Sequence, residues 1–222
     1  MSLTSLTHGR LPPADDALFE RIACALEARG LAVLPAALPA AIAQALLDDL
    51  AARGERAFGE AGIGRGPETS TNPFVRRNRI AWIDEYDAAT AAWTDWTTRL
   101  RRYLNRRLFL GLFSFESHYS LYEPGDFYKR HVDAFRGQSN RVLSLVTYLN
   151  AGWRPDQGGE LVIYEPQPGT PSLRVSPTFG TLVVFLSEVF AHEVLPATRT
   201  RYGVAGWFRV NTSINGHIDP PR

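Results

Sequence analysis

The 222 residues carry a formal net charge of +1, with 45% hydrophobic and 11% aromatic residues. Such a chain has enough apolar mass for one sizeable core, and its near-neutral balance excludes a general nucleic-acid binder. The single cysteine, Cys24, excludes an internal disulfide and a C-x-x-C zinc site.

The chain start, residues 1–13, lacks the apolar core of a signal peptide. The most apolar stretch, Leu31 to Leu50, is broken by Pro35, Pro39, Asp48 and Asp49 and is unfit to span a bilayer, so a cytoplasmic protein is expected. The first half then reads as helical. Asp15 is placed as an N-cap ahead of Leu18, Phe19, Ile22 and Leu26 at helical spacing, and Gly30 stops the helix. Cys24 is read on its apolar face as a small buried hydrophobe. Leu31–Leu34 forms a short strand. Pro39 opens a second helix, with Ile42, Leu46 and Leu50 inward and Gly54 near its end. Residues 59–77, with four glycines and two prolines, read as a mobile lid that would bring Arg65, Arg76 and Arg77 near the site. A strand around Ile80 and Trp82 follows. A third helix runs from Asp87 to Arg107 on a core stripe of Trp93, Trp96, Leu100 and Leu104.

From Ser117 onward the pattern changes to strands: Ser117–Glu123, Tyr128–Val132, Arg141–Leu149, Glu160–Tyr164, Ser172–Val175, Thr181–Leu186, Ala191–Val194 and Gly203–Val210. About eight short antiparallel strands with no helix between them predict an α+β fold. Its core is a double-stranded β-helix (a cupin-like jelly roll) with the N-terminal helices packed on one face. The expected organisation is a single domain, 1–222, with a mostly helical part at 1–110 and the jelly roll at 115–212.

The chemistry centres on His131-Val132-Asp133. Residues i and i+2 of a strand share a face, so this imidazole and carboxylate project together. His192, delivered by a later strand, supplies a third ligand and leaves half of an octahedral metal open. A second H-x-D, His217 to Asp219, is read as chance, because no histidine follows it. His8 and His118 read as surface or packing residues. Nine residues after His192 stands Arg201, whose planar fork suits a dicarboxylate. Arg174, Arg199 and Arg209 read as exposed strand arginines.

In order and spacing these residues match a family. The run Tyr128-x-x-His131-x-Asp133, Tyr148-Leu149-Asn150, Gly158-Gly159-Glu160-Leu161, Phe185, His192-Glu193-Val194-x-Pro196, Arg201-Tyr202 and Trp207 resembles the prolyl hydroxylases of the iron(II)/2-oxoglutarate oxygenase superfamily. It is most similar to the oxygen-sensing branch and its bacterial relatives, and Val75-Arg76-x-x-x-Ile80-x-Trp82-Ile83 carries the same likeness. The resemblance spans roughly residues 74–208. It implies Fe(II) on His131, Asp133 and His192, with 2-oxoglutarate and O2 as cosubstrates and ascorbate as a reductant. It also implies that Tyr148 joins Arg201 on the far carboxylate. By the same likeness, Tyr122 and Tyr128 line the pocket, Leu161 packs on the cosubstrate and Trp207 walls the iron. The implied partner is a protein with a loop proline, a translation factor among the candidates, and the implied oligomeric state is a monomer. Two departures, Ala205 in place of a polar residue and Asn78 in place of an aspartate, bear on substrate choice. Two other readings are an oxygenase of a free amino acid or small metabolite, and a non-catalytic cupin-like ligand sensor.

Overall fold

In the computed structural model the described residues are 15–61, 72–84, 87–134, 140–167 and 172–211. Among these residues three α-helices, α1 (Asp16–Arg29), α2 (Ala40–Arg53) and α3 (Ala91–Leu108), accompany eleven strands. The strands are β1 (Leu31–Leu34), β2 (Gly59–Glu60), β3 (Arg79–Ile83), β4 (Leu112–Tyr122), β5 (Tyr128–His131), β6 (Arg141–Tyr148), β7 (Leu161–Ile163), β8 (Leu173–Val175), β9 (Leu182–Leu186), β10 (His192–Val194) and β11 (Arg201–Val210). They form a major sheet in the order β1-β9-β6-β11-β4-β3-β2 and a minor sheet in the order β5-β10-β7-β8. Every pairing is antiparallel. The expected jelly roll is β4–β11, and the N-terminal half adds three further strands to the major sheet.

The period-two pattern of the major-sheet strands divides their side chains between two cores. On one face Tyr119, Leu121, Leu143, Leu145, Val184, Val204 and Phe208 pack against Phe19 and Ile22 of α1, Leu46 of α2, and Trp93, Trp96 and Leu100 of α3. On the other, Tyr122, Tyr148, Val183 and Phe185 meet Leu161, Ile163, Val175 and Val194 of the minor sheet. The helical stripes therefore cover one face of the roll and leave its interior to the site. Gly30 ends α1 in the left-handed conformation, its N–H returning to the Leu26 carbonyl at 2.7 Å. Asp15 stands at the N-cap, but its carboxylate makes no capping bond and pairs instead with Arg99 of α3.

Two expectations fail here. Cys24 is exposed, not buried: it shares the Glu20 and Glu27 side of α1, one residue round from the face that buries Ala23, and its thiol meets Glu20 Oε1 at 3.2 Å. Arg209 is 6% exposed, not a surface residue, because its place on β11 faces Glu116 across β4 at 3.3 Å. The segment 59–77 is anchored at both ends, by β2 pairing with β3 and by a bridge between Arg76 and Tyr128. Residues 62–71, on which the lid reading depends, lie outside the described residues, as do His8, His217 and Asp219. Among the described residues no helix is long and apolar enough to cross a membrane.

Candidate active site

Between the two sheets lies a cavity of about 160 Å³ whose walls include His131, Asp133, His192, Arg201, Tyr122, Tyr128, Leu161 and Trp207. Register brings the histidines together: His192 of β10 is the cross-strand partner of His131 at the end of β5. Their rings are 4.3 Å apart. Asp133 reaches the same point from the bend after β5, not from the strand itself. The donor atoms of the three side chains all lie within 4.8 Å of one another.

The tautomers are set by the backbone. His131 Nδ1 is 2.8 Å from the Lys129 carbonyl and His192 Nδ1 is 3.0 Å from the Phe190 carbonyl. A carbonyl only accepts, so each Nδ1 carries a hydrogen, and in the neutral ring Nε2 is the nitrogen left to present a lone pair. Those Nε2 atoms lie 3.6 Å from Asp133 Oδ1 and Oδ2 respectively. Burial works to raise the Asp133 carboxyl, but the protonated forms of His192 and His131 and the Ser144 hydroxyl overcome it and hold it well below the usual range; a cation bound by the neutral rings would act in the same direction. Burial lowers the His192 imidazole, against the pull of Asp133. Two neutral nitrogens and one carboxylate oxygen, with an open side toward the cavity, fit a first-row divalent ion such as Fe(II).

Arg201 is 3% exposed, yet no carboxylate pairs with it among the described residues. Its Nε donates to the Gly159 carbonyl at 3.0 Å, and its guanidinium carbon sits 4.8 Å and 5.0 Å from the Tyr122 and Tyr148 ring centres. A buried cation without a counter-charge costs several kcal/mol. The arrangement therefore fits an anionic ligand. Tyr148 lies behind the cavity wall, fully buried, and its hydroxyl meets no hydrogen-bond geometry with any group among the described residues. Burial pushes that hydroxyl up to about 12, with Arg201 pulling the other way, so it stays a neutral donor. A buried guanidinium beside a neutral hydroxyl donor suits a carboxylate ligand.

Sequence reasoning missed several wall residues. His118, read as a surface or packing residue, is buried and packs edge-on to Trp82 at 5.2 Å and 5.4 Å from Trp207, and it also lines the cavity. Arg141 covers the Trp207 ring at 3.6 Å and bonds Glu116 at 2.9 Å. Alternation along β4 (His118, Ser120, Tyr122) would have placed His118 on the site face. Asn78 does not leave Arg76 unsupported: Arg76 Nε donates to Asn78 Oδ1 at 2.5 Å, and the guanidinium lies over Tyr128.

The model of the 2OG-Fe(II) oxygenase superfamily matches residues 117–209, the span from β4 to β11 that builds this cavity. A solved prolyl-4-hydroxylase of Pseudomonas putida is 36% identical, covering 87% of this chain and 100% of that one, with a TM-score of 0.77. The chain belongs to the 2OG-Fe(II) oxygenase superfamily. Within it the likeness is to prolyl hydroxylases, and Fe(II), 2-oxoglutarate and O2 are the cofactor and cosubstrates of the family. A Trichoplax adhaerens prolyl hydroxylase, solved with a peptide fragment of hypoxia inducible factor, has the same fold. It has 23% identity, a TM-score of 0.77, and coverage of 88% of this oxygenase and 90% of that chain. The human "Egl nine homolog 1" is 33% identical over 85 residues, 38% of this chain and 20% of that protein. For the human "Prolyl hydroxylase EGLN3" the share of the relative is 35%. The oxygenase thus spans between a fifth and about a third of these curated relatives.

Proposed function

We propose that the chain is an Fe(II)- and 2-oxoglutarate-dependent dioxygenase that hydroxylates a prolyl residue of a protein. The observation that carries this reading is the buried Arg201, lacking any carboxylate partner among the described residues, in the same cavity as His131, Asp133 and His192. The three ligands would hold Fe(II). Arg201 and the neutral Tyr148 hydroxyl would hold the distal carboxylate of 2-oxoglutarate, with Leu161 and the Tyr122 ring packing along its chain. When bound, these groups supply oxidative decarboxylation to succinate and carbon dioxide, coupled to hydroxylation of a C–H bond. The residues of the chain orient and enclose: Trp207, under Arg141, and His118 wall the metal side.

A protein substrate is supported at the cavity mouth. Trp82 lines the cavity yet is 54% exposed, and Phe74, close by in sequence to Arg76, is 75% exposed. Large apolar side chains left in water beside a reactive cavity mark a surface for a partner chain. The P. putida relative is named a prolyl-4-hydroxylase, which supports the same substrate class. A translation factor with an exposed loop proline is the first partner to try, with the oxygenase acting as a monomer. The test incubates the purified chain with Fe(II), 2-oxoglutarate, O2 and that protein. The expected result is a gain of one oxygen atom on a proline by mass spectrometry, with an equal amount of succinate. Succinate formed at the same rate with free amino acids and none with any protein would contradict it.

A further inference from the structure

We propose that Ser144, backed by Ser187, positions the Asp133 carboxylate and engages its Oδ2, which favours Oδ1 as the metal-binding oxygen. The inference rests on the metal reading above but assigns residues which that reading does not use. Ser144 on β6 donates to Asp133 Oδ2 at 2.6 Å, and the Ser144 and Ser187 hydroxyls lie 2.9 Å apart. A hydroxyl has one hydrogen. Ser144 gives its hydrogen to Asp133, so Ser187 donates and Ser144 accepts in the second contact. The relay runs one way, Ser187 to Ser144 to Asp133, and each donor strengthens the next.

The mechanical contrast explains its use. Asp133 sits on a bend beyond the last residue of β5. Ser144 and Ser187 are 1% and 0% exposed; Ser144 lies on β6, flanked by β9 and β11, and Ser187 opens the turn after β9, its N–H held by the Val142 carbonyl at 3.0 Å. The relay ties a ligand on a bend to the hydrogen-bonded major sheet. It also occupies Oδ2 with a short charge-assisted bond, which disfavours a carboxylate chelating through both oxygens. That matters because a second carboxylate bond would take one of the three positions that 2-oxoglutarate and O2 require.

The experiment titrates Co(II) alone, without 2-oxoglutarate, into the wild-type chain and into Ser144→Ala, Ser144→Thr and Ser187→Ala. Affinity is read by calorimetry and coordination by the Co(II) visible spectrum. Ser144→Ala is expected to bind about 10- to 100-fold more weakly, the range for loss of a group behind a metal ligand, and with an altered spectrum. Ser144→Thr keeps the hydroxyl and is expected to restore both, which a merely structural role would not predict. Ser187→Ala is expected to weaken binding by a few-fold. Ser144→Ala with wild-type affinity and spectrum would overturn the inference and leave the functional reading standing. Should Ser144→Ala not fold, Ser187→Ala decides, an unchanged spectrum and affinity overturning the relay. A wild-type chain that takes up no Co(II) would overturn both.

Discussion

Arg201 and Tyr148 differ in what each can lose. Arg201 is a buried cation with no carboxylate partner among the described residues, its Nε donating to the Gly159 carbonyl, so a bound carboxylate would be its main counter-charge. Arg201→Ala is expected to weaken 2-oxoglutarate by about 2–5 kcal/mol, while Tyr148→Phe removes one neutral donor and costs ~1 kcal/mol. Anaerobic titration of each variant with 2-oxoglutarate checks both. His118 carries a different prediction. Burial drives it down to about 3, from 6.5 when unfolded. Between those values the unfolded chain binds the extra proton, so stability is complete above about 6.5 and is lost as pH falls. Each pKa unit is worth ~1.4 kcal/mol, so the loss amounts to a few kcal/mol. Urea unfolding from pH 7.5 to 4.5 should show this slope in the wild type and a shallower one in His118→Phe. The residues that the structure brings together at the metal cavity were legible where the signal was local: the His131 and Asp133 spacing, and Arg201 downstream of His192. Ser144 and the buried Arg209 were not, because their environments come from cross-strand neighbours that no local spacing encodes, whereas alternation along β4 already carried the signal for His118.

Among the connections, the turn before β7 is tied most directly to the site. Gly158 and Gly159 both have positive φ, +68° and +74°, and a Cβ on Gly159 would come within 3.1 Å of the Trp153 ring and 3.4 Å of Arg201 Cδ. The same residue's carbonyl receives Arg201 Nε. Gly159→Ala is therefore expected to cost ~1–3 kcal/mol of stability and to weaken 2-oxoglutarate by shifting Arg201, with divalent-metal affinity unchanged. Thermal unfolding and the two ligand titrations separate these effects. Strands and helices were the easier part of the reading. The Trp93, Trp96, Leu100 and Leu104 stripe is buried as a helical stripe requires, and the eight strand segments after Ser117 recur within a few residues. What failed was circumferential detail, as at Cys24, and the two-residue β2, too short to carry a pattern. The start of β4 was also set too late: Leu112–Glu116 pairs with β11 although its sequence continues the apolar end of α3.

Across the whole molecule, the two sheets divide labour. The helix-backed major sheet supplies Tyr148, Ser144, Trp207 and Arg201, and the minor sheet supplies His131 and His192 with Leu161. The cavity exists only where both faces meet, which is why its composition follows from topology and not from any one segment. This junction is expected to hold a metal and a dicarboxylate at once. The most direct measurement is a crystal structure of the chain with Mn(II) and 2-oxoglutarate, Mn(II) standing in for Fe(II). The account predicts Mn(II) on His131 Nε2, Asp133 Oδ1 and His192 Nε2 at roughly 2.0–2.2 Å, with the far carboxylate of 2-oxoglutarate on Arg201 and Tyr148. Metal held instead by His217 and Asp219, or 2-oxoglutarate bound away from Arg201, would contradict it.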